Sequence, residues 1–425
     1  MPTRVRYLVL AVLCLAATMA YIHRSCISVP AASMQADLAL SDTQMGWIMS
    51  SFFLGYTLFQ IPGGWLGDRL GTRSALTLFA IVWSLATGMM GLTRSFEWLF
   101  TLWILNGVAQ AGIFPCAINS FTRWFPEAER ALPSGLLGAF MSVGAATASL
   151  VAAGLLHIVA WPQCFLILAA PGILFAIGFY LWFRDRPGAH SWVNAAEIRY
   201  IESGNTERRL RGGGDETFWR ELLAQPGIYL ICGQQFFRAA CYIFYVTWFP
   251  SYLQEARDVS VAESGLLTSL PLLGVVAGST SGGVIIDRIW RRSGSRRLSR
   301  RGVGLFAVLA AGGFLLLAQI MPDLKLAVVC IIASGFFAGM SGPAGYTTTI
   351  DMAGNRVATV FSIMNLCGNA GAFLLPLVVA RLRWDVVLIF LAALYGCAAI
   401  LWGLLFIEKE PLTASATARE TASGA

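Results

Sequence analysis

Gly63-Gly64-Trp65-Leu66-Gly67-Asp68-Arg69-Leu70-Gly71-Thr72-Arg73 closes one long apolar stretch, and Gly282-Gly283-Val284-Ile285-Ile286-Asp287-Arg288 closes another, 219 positions later. Both read Gly-Gly, three further residues, then Asp-Arg, and both run into a basic loop. Paired glycines let helices approach closely and the chain turn tightly. The same element at corresponding places in two halves is a sign of internal duplication.

Twelve apolar stretches carry that duplication, at 7–30, 44–66, 74–93, 98–121, 133–156, 163–183, 226–253, 264–286, 303–321, 325–347, 357–381 and 384–407. About 20 apolar residues cross a bilayer's hydrocarbon core. Uninterrupted runs exclude barrel strands, which alternate, so backbone satisfaction in lipid requires helices. Composition agrees: 57% of residues are hydrophobic, 12% are charged, and mean hydropathy is +0.67. A soluble domain carries about 25% charged residues. The reading is an all-α membrane protein with twelve transmembrane helices in two pseudo-symmetric six-helix bundles. Residues 1–184 form the first bundle and 226–407 the second. A cytoplasmic linker, 185–225, holds a short amphipathic helix at Ala195–Glu202 and a basic Gly-rich piece at 208–214. An Ala/Thr/Ser-rich tail, 408–425, is expected to be disordered. Tyr7 to Pro30 is too long for a signal h-region and is read as a retained helix.

Basic residues set the orientation. Of 30 Lys and Arg, 23 fall in the segments on the N-terminal side of the bilayer, five in the opposite loops, and two inside spans. Both termini are therefore expected to be cytoplasmic, in a multi-pass protein of the inner membrane. The net charge of +7 reflects this topology and not a nucleic-acid surface. Nine cysteines lie unpaired in apolar stretches, which argues for neither a disulfide framework nor a metal site. No nucleophile elbow, metal cluster or phosphate loop stands at usable spacing, so neither an enzyme nor a cofactor is expected.

The two basic residues inside spans are Arg24 and Arg238, in the first span of each half, with no acid nearby. A charge at a helix centre costs about 2.5–3.5 kcal/mol on insertion scales. Two positive charges without a protein counter-ion suggest that the cargo supplies it. The expected function is movement of a small organic anion.

The stretch Gly64, Asp68, Arg69, Gly71, Arg73 resembles the G-x-x-x-D-R-x-G-x-R signature of the major facilitator superfamily. The resemblance implies that fold, and a cytoplasmic latch at those residues with a second at Asp287 and Arg288. A narrower resemblance is to the anion:cation symporter branch, which imports sugar acids. It rests on Gln60-Ile61-Pro62-Gly63-Gly64-Trp65, Arg123-Trp124-Phe125-Pro126-Glu127, Thr247-Trp248-Phe249-Pro250-Ser251-Tyr252-Leu253 and Asn365-Leu366-Cys367-Gly368-Asn369. The departures from that branch matter. Its aspartate before the first-span arginine is His23 here, its fourth-span glutamate is Gln110, and its fourth-span arginine is Trp103. The pairing of Arg24 with Arg238, and the run from Trp248 to Leu253, also resemble organophosphate:phosphate antiporters. Antiport of that type, and export of a larger amphiphile, are the alternatives.

Candidate substrate residues follow from spacing and chemistry. Arginine offers a planar fork to a carboxylate or phosphate. Tyr21 lies one turn from Arg24, Tyr242 and Tyr245 follow Arg238, and Tyr56 and Gln60 share a face. Asn106 and Gln110 form one polar stripe, and Asn365 and Asn369 another. A single tyrosine in a membrane helix serves packing as readily as binding, and buried amides serve helix bridging as readily as substrate. His23 is the candidate for proton coupling, because no Asp or Glu lies in mid-span and histidine titrates near neutrality. Its neighbour Arg24 disfavours the imidazolium, so a neutral hydrogen-bonding role stands beside it. The expected partners are a small anion, a coupling proton or counter-anion, and the bilayer, with the protein a monomer.

Overall fold

In a computed structural model the chain is described at residues 2–27, 29–203, 215–354, 356–379 and 381–405. The basic piece 208–214 and the tail 408–425 lie outside the described residues. Sixteen α-helices follow in order: α1 Val5–Ser25, α2 Ala31–Leu38, α3 Asp42–Met90, α4 Phe96–Ala111, α5 Ile113–Trp124, α6 Ala131–Leu156, α7 Trp161–Trp182, α8 Ala195–Ser203, α9 Asp215–Ala224, α10 Pro226–Thr247, α11 Phe249–Ser251, α12 Val261–Ser293, α13 Val303–Ile320, α14 Leu324–Met352, α15 Val357–Val379 and α16 Trp384–Leu404. Among the described residues there is no strand. Every one of the twelve expected spans falls on helix.

The differences in span ends have local causes. A proline disfavours the α conformation of the residue before it. The first span, expected at 7–30, stops at Ser25 and restarts as α2 after Pro30. The seventh, expected at 226–253, stops at Thr247 and resumes as the short α11, where Pro250 has no amide to continue the ladder of α10. The fourth is two helices, α4 and α5, meeting at Gly112. Any side chain at Gly112 would meet the Phe79 ring, 2.2 Å from the position of a Cβ. The second and third spans run together as α3, whose 49 residues would stretch about 74 Å if straight. Gly71, at φ 79° and ψ 161°, divides it. The basic end of α12 extends beyond the apolar run: the helix continues through Arg288, Arg291 and Arg292 to Ser293.

The chain packs as two units. The described residues of the first fall within Met1–Pro126, Phe140–Thr206 and Arg356–Ser362, those of the second within Glu127–Ala139, Glu207–Asn355 and Ile363–Ala425. Each unit takes in the first turns of a helix, α15 or α6, whose remainder belongs to the other.

Helix starts within the units share one device. The residue before α1, α6 and α15 is an arginine: Arg4, Arg130 and Arg356. A guanidinium accepts no hydrogen bond and cannot cap. Instead a distant carboxylate accepts from the exposed amides. For α1 it is Glu197 of α8, which takes the amides of Val5 (2.9 Å) and Arg6 (3.2 Å), the Thr3 hydroxyl (2.7 Å) and the Arg6 guanidinium (3.2 Å). Arg6 lies between the rings of Tyr7 and Tyr200, 4.8 and 4.6 Å from their centres.

Glu197 is fully enclosed. Burial pushes its carboxyl up, but the bonds from Thr3, Val5 and Arg6, with the Arg6 charge, outweigh that and hold it below the ordinary 4.5. Glu197→Ala would strand Arg6 and lower stability by about 3 kcal/mol, read as a lower apparent Tm in detergent. Because the folded value is depressed, this contribution is complete above pH 4.5 and is lost as pH falls through the lowered value. The Tm gap between wild type and variant should hold from pH 8 to 5 and close only as the pH falls below 4.5.

Candidate functional site

In the first unit Arg24 occupies the last turn of α1. The rings of Phe52 and Phe53 (both 4.8 Å) and of Tyr21 and Tyr56 (both 5.3 Å) surround its guanidinium carbon. Among the described residues it pairs with no carboxylate and donates no hydrogen bond. Aromatic faces attract a cation by their quadrupole but leave its net charge in place. Counting residues at 1.5 Å each, Phe52–Tyr56 lie about 15–21 Å from the start of α3 and about 18–24 Å from Asp68. The arginine is therefore held midway along the part of α3 between its start and Asp68. Tyr56 is buried and stacks on Phe52.

The other polar candidates of this unit bind helix to helix. Gln60, fully buried, donates to the Ala111 carbonyl at 3.0 Å, a carbonyl left free because the residue four positions on, Pro115, has no amide hydrogen. The Asn106 amide donates to the Thr87 hydroxyl (2.7 Å) and the Trp83 carbonyl (3.4 Å), and Gln110 donates to Asn106 Oδ1 (2.7 Å). These bonds tie α4 to α3. His23 turns to α7 and not to its neighbour Arg24: its Nε2 donates to the Leu168 carbonyl at 2.7 Å, and the ring is 2% exposed. At Gly172 of α7 a Cβ would lie 3.3 Å from that ring and 2.0 Å from the Ser84 hydroxyl.

In the second unit Arg238 lies on α10. Its Nε donates to Gln235 Oε1 at 3.1 Å and its Nη2 to the Tyr346 hydroxyl at 3.4 Å, with the Tyr346 ring centre 5.8 Å away. Both partners are neutral, so among the described residues this charge also stands without an acid. Tyr346 of α14 was not among the candidates, nor were Phe52 and Phe53, and Gln235 ranks in the sequence only as a residue of the polar start of its span. The available signal was a tyrosine in mid-span after Gly342-Pro343-Ala344-Gly345, and two phenylalanines one turn before Tyr56. Tyr245 is turned into the core, fully buried, its hydroxyl 2.8 Å from Ser334 Oγ. Tyr242, Asn365 and Asn369 are half-buried, and each makes a polar or ring contact.

The duplicated element builds two matching clamps. In the first unit Asp68 accepts from the amides of Ala358 (3.1 Å) and Thr359 (2.8 Å) and from the Thr359 hydroxyl (2.7 Å), at the start of α15. Gly64 makes this approach possible: a Cβ there would lie 2.5 Å from the Ala358 carbonyl oxygen. At Gly71 a Cβ would lie 2.8 Å from the Asp185 carboxylate, which accepts from the Arg73 amide at 3.1 Å. Arg73 Nε donates to the Tyr180 carbonyl at 2.8 Å, while Arg69 lies over Trp65. In the second unit Asp287 accepts from the amides of Ala131 (3.0 Å) and Leu132 (2.9 Å) at the start of α6, where Gly283 meets the same backbone. Arg288 is exposed. Beside this clamp Arg296 pairs with Glu127 (2.5 Å) and Arg300 with Asp351 (3.1 Å).

Because Asn106 bonds to helix backbone and hydroxyl and not toward Arg24, Asn106→Ala should act on stability. Leaving the Gln110 amide and Thr87 hydroxyl without their partner should cost about 1–3 kcal/mol, read as a lowered Tm. The affinity for an anionic ligand should move less than threefold in the same titration.

The sequence profile of the Major Facilitator Superfamily matches residues 13–376 and, again, 235–423. Among curated relatives, a probable sulfoacetate transporter of Cupriavidus necator is 31% identical over 404 residues, 93% of each chain. A probable galactarate/D-glucarate transporter of Bacillus subtilis is 28% identical, over 95% of this chain and 92% of its own. A D-galactonate transporter of Escherichia coli is 27% identical over 90% of each. Of solved structures, the E. coli fucose:proton symporter superposes at TM-score 0.71 with 13% identity, covering 95% of this chain and all of its own. A proton:xylose symporter superposes at 0.72, also with 13% identity, over 94% and 96%. These two likenesses speak for the fold alone. With the profile covering most of the chain and the duplicated Asp-Arg elements each holding a helix start, the chain belongs to the Major Facilitator Superfamily.

Proposed function

We propose that the protein is a secondary carrier of a small organic anion, a sugar acid or another short acid, working by alternating access. The observation that carries this reading is Arg24: a guanidinium ringed by four aromatic side chains and without an acidic partner among the described residues. The relatives reported above, which carry galactarate, galactonate or sulfoacetate by name, support the same class. They do not favour the organophosphate antiporters. Arg24 and Arg238 then supply the positive charge, and Tyr21, Tyr56, Tyr242, Asn365 and Asn369 adjoin the substrate. Gln60, Asn106, Gln110 and Tyr245 hold the helices that present it.

On this reading a coupling proton travels on the substrate's own acid group, or a counter-anion meets the same arginine. His23, enclosed and bound to Leu168, positions α1. The clamps at Asp68 and Asp287, with Gly64, Arg69, Gly71, Arg73 and Arg288, act as latches whose release frees the starts of α15 and α6. The protein works as a monomer in the cytoplasmic membrane with both termini inside, as the 23-to-5 distribution of basic residues supports.

Ligand stabilisation of the purified protein tests the reading, since it grows with the logarithm of ligand concentration over Kd. Sugar acids, dicarboxylates and sulfonates should raise the wild-type Tm. Arg24→Ala should remove the shift, and Arg24→Lys should weaken binding about tenfold or more through loss of the planar fork. Persistence of the full shift in Arg24→Ala would reject an anion site there. Asp68→Asn should behave differently, with anion binding retained and transport into proteoliposomes reduced several-fold.

A further inference from the structure

The glutamine one turn before Arg238 controls which edge of that guanidinium is left for a ligand. Gln235 and Arg238 stand three positions apart on α10, so their side chains share a helix face. Gln235 is buried and Arg238 half-buried. An arginine Nε can only donate, so the Gln235 oxygen and not its amide nitrogen faces it, and Oε1 accepts at 3.1 Å. Tyr346 of α14 accepts from Nη2 at 3.4 Å. Two of the five guanidinium N–H groups are thereby engaged. Among the described residues three are left, two of them on Nη1. Nη1 and Nη2 together form the end of the fork, an edge that can take both oxygens of one acid group.

The Gln235 side chain is held in its turn. α15 approaches α10 here on two glycines. A Cβ at Gly371 would lie 2.2 Å from the Phe236 carbonyl oxygen, and one at Gly368 would lie 3.0 Å from both Cγ and Nε2 of Gln235. The backbone at Gly368 therefore packs directly on the glutamine. The acceptor is also neutral. A carboxylate at the same place would reach the same Nε but would cancel the charge that an anion needs to meet.

We propose that Gln235 is the positioning residue of the Arg238 site. It fixes Nε with a neutral acceptor, so that the Nη1–Nη2 edge meets the acid group of the substrate with its charge intact. Gly368 keeps Gln235 in the orientation that does this. The proposal rests on the reading of Arg238 as part of an anion site, and adds which edge binds and what aims it.

Gln235→Glu separates this role from packing. It keeps the size of the side chain and the bond to Nε, but gives Arg238 an internal counter-ion. Purified full-length protein is titrated with gluconate, succinate and isethionate, and both Tm and Kd are read. The Tm of Gln235→Glu without ligand should equal or exceed that of wild type, while its affinity for the anion that wild type binds falls about tenfold or more. A residue with only a structural role would leave that affinity unchanged. Gln235→Met keeps the volume and the full Arg238 charge but drops the acceptor. It should weaken the same anion by about threefold to tenfold. If Gln235→Met, or a folded Gln235→Glu, binds as tightly as wild type while Arg238→Ala does not, the inference falls and the anion site stands. If Arg238→Ala binds as tightly as wild type, or wild type binds none of the three anions, the part of Arg238 in an anion site falls and the inference with it.

Discussion

A helix that begins behind an arginine has a conflict at its first turn. Its unpaired amides and the positive end of its dipole sit beside a positive side chain that can accept no hydrogen bond. The distribution of basic residues creates this conflict, because they collect on one side of the spans. α1, α6 and α15 begin after Arg4, Arg130 and Arg356. In each case a carboxylate from elsewhere in the chain resolves it: Glu197, Asp287 and Asp68. Asp185 does the same where the chain resumes after Gly71. The sums are modest, about 0.3–1 kcal/mol for each charge at a helix start and about 1 kcal/mol for each cap. Their effect is positional: they fix where the start of α1 stands, and so the height at which it carries Arg24.

The opposite problem arises where helices break. Pro115 offers no amide to the Ala111 carbonyl, and a polar group left unmet among the helices is costly. Gln60 meets the carbonyl at Ala111. Asn106 and Gln110 bridge α4 to the helix it packs against. Polar residues in the spans therefore divide into those that repair or bridge helices and those that do not. Arg24 stands in the second group, and the contrast with its well-bonded neighbours gives its isolation meaning.

Much of this was legible from residue order. The Gly-Gly-x3-Asp-Arg repeat gave the duplication, run lengths gave twelve helical spans, and the absence of mid-span acids singled out Arg24. What could not be read was orientation about each helix axis. Tyr245 lies two turns from Arg238 and shares its helix, yet points to Ser334 in the core. His23 is adjacent to Arg24 and faces α7, since successive residues on a helix diverge by about 100°. Tyr346 reaches Arg238 from 108 positions away, and Glu197 reaches α1 from 192, distances at which sequence periodicity carries no information. A search for local caps would have left α1 uncapped.

The departures from the sugar-acid symporter pattern become coherent once Gln110 is seen in place. Its amide donates to Asn106 Oδ1, whose own amide donates to Thr87. The chain of donors runs in one direction, and it requires a donor at 110. An ionised carboxylate there would set two acceptors 2.7 Å apart, so a glutamate could keep this network only when protonated. The amide makes the network permanent and removes a titrating group in one step. His23, bound to a carbonyl through Nε2, likewise replaces an acid by a neutral-capable donor. With no acid at either place, Arg24 pairs with no carboxylate among the described residues, which is the condition the proposed anion site requires.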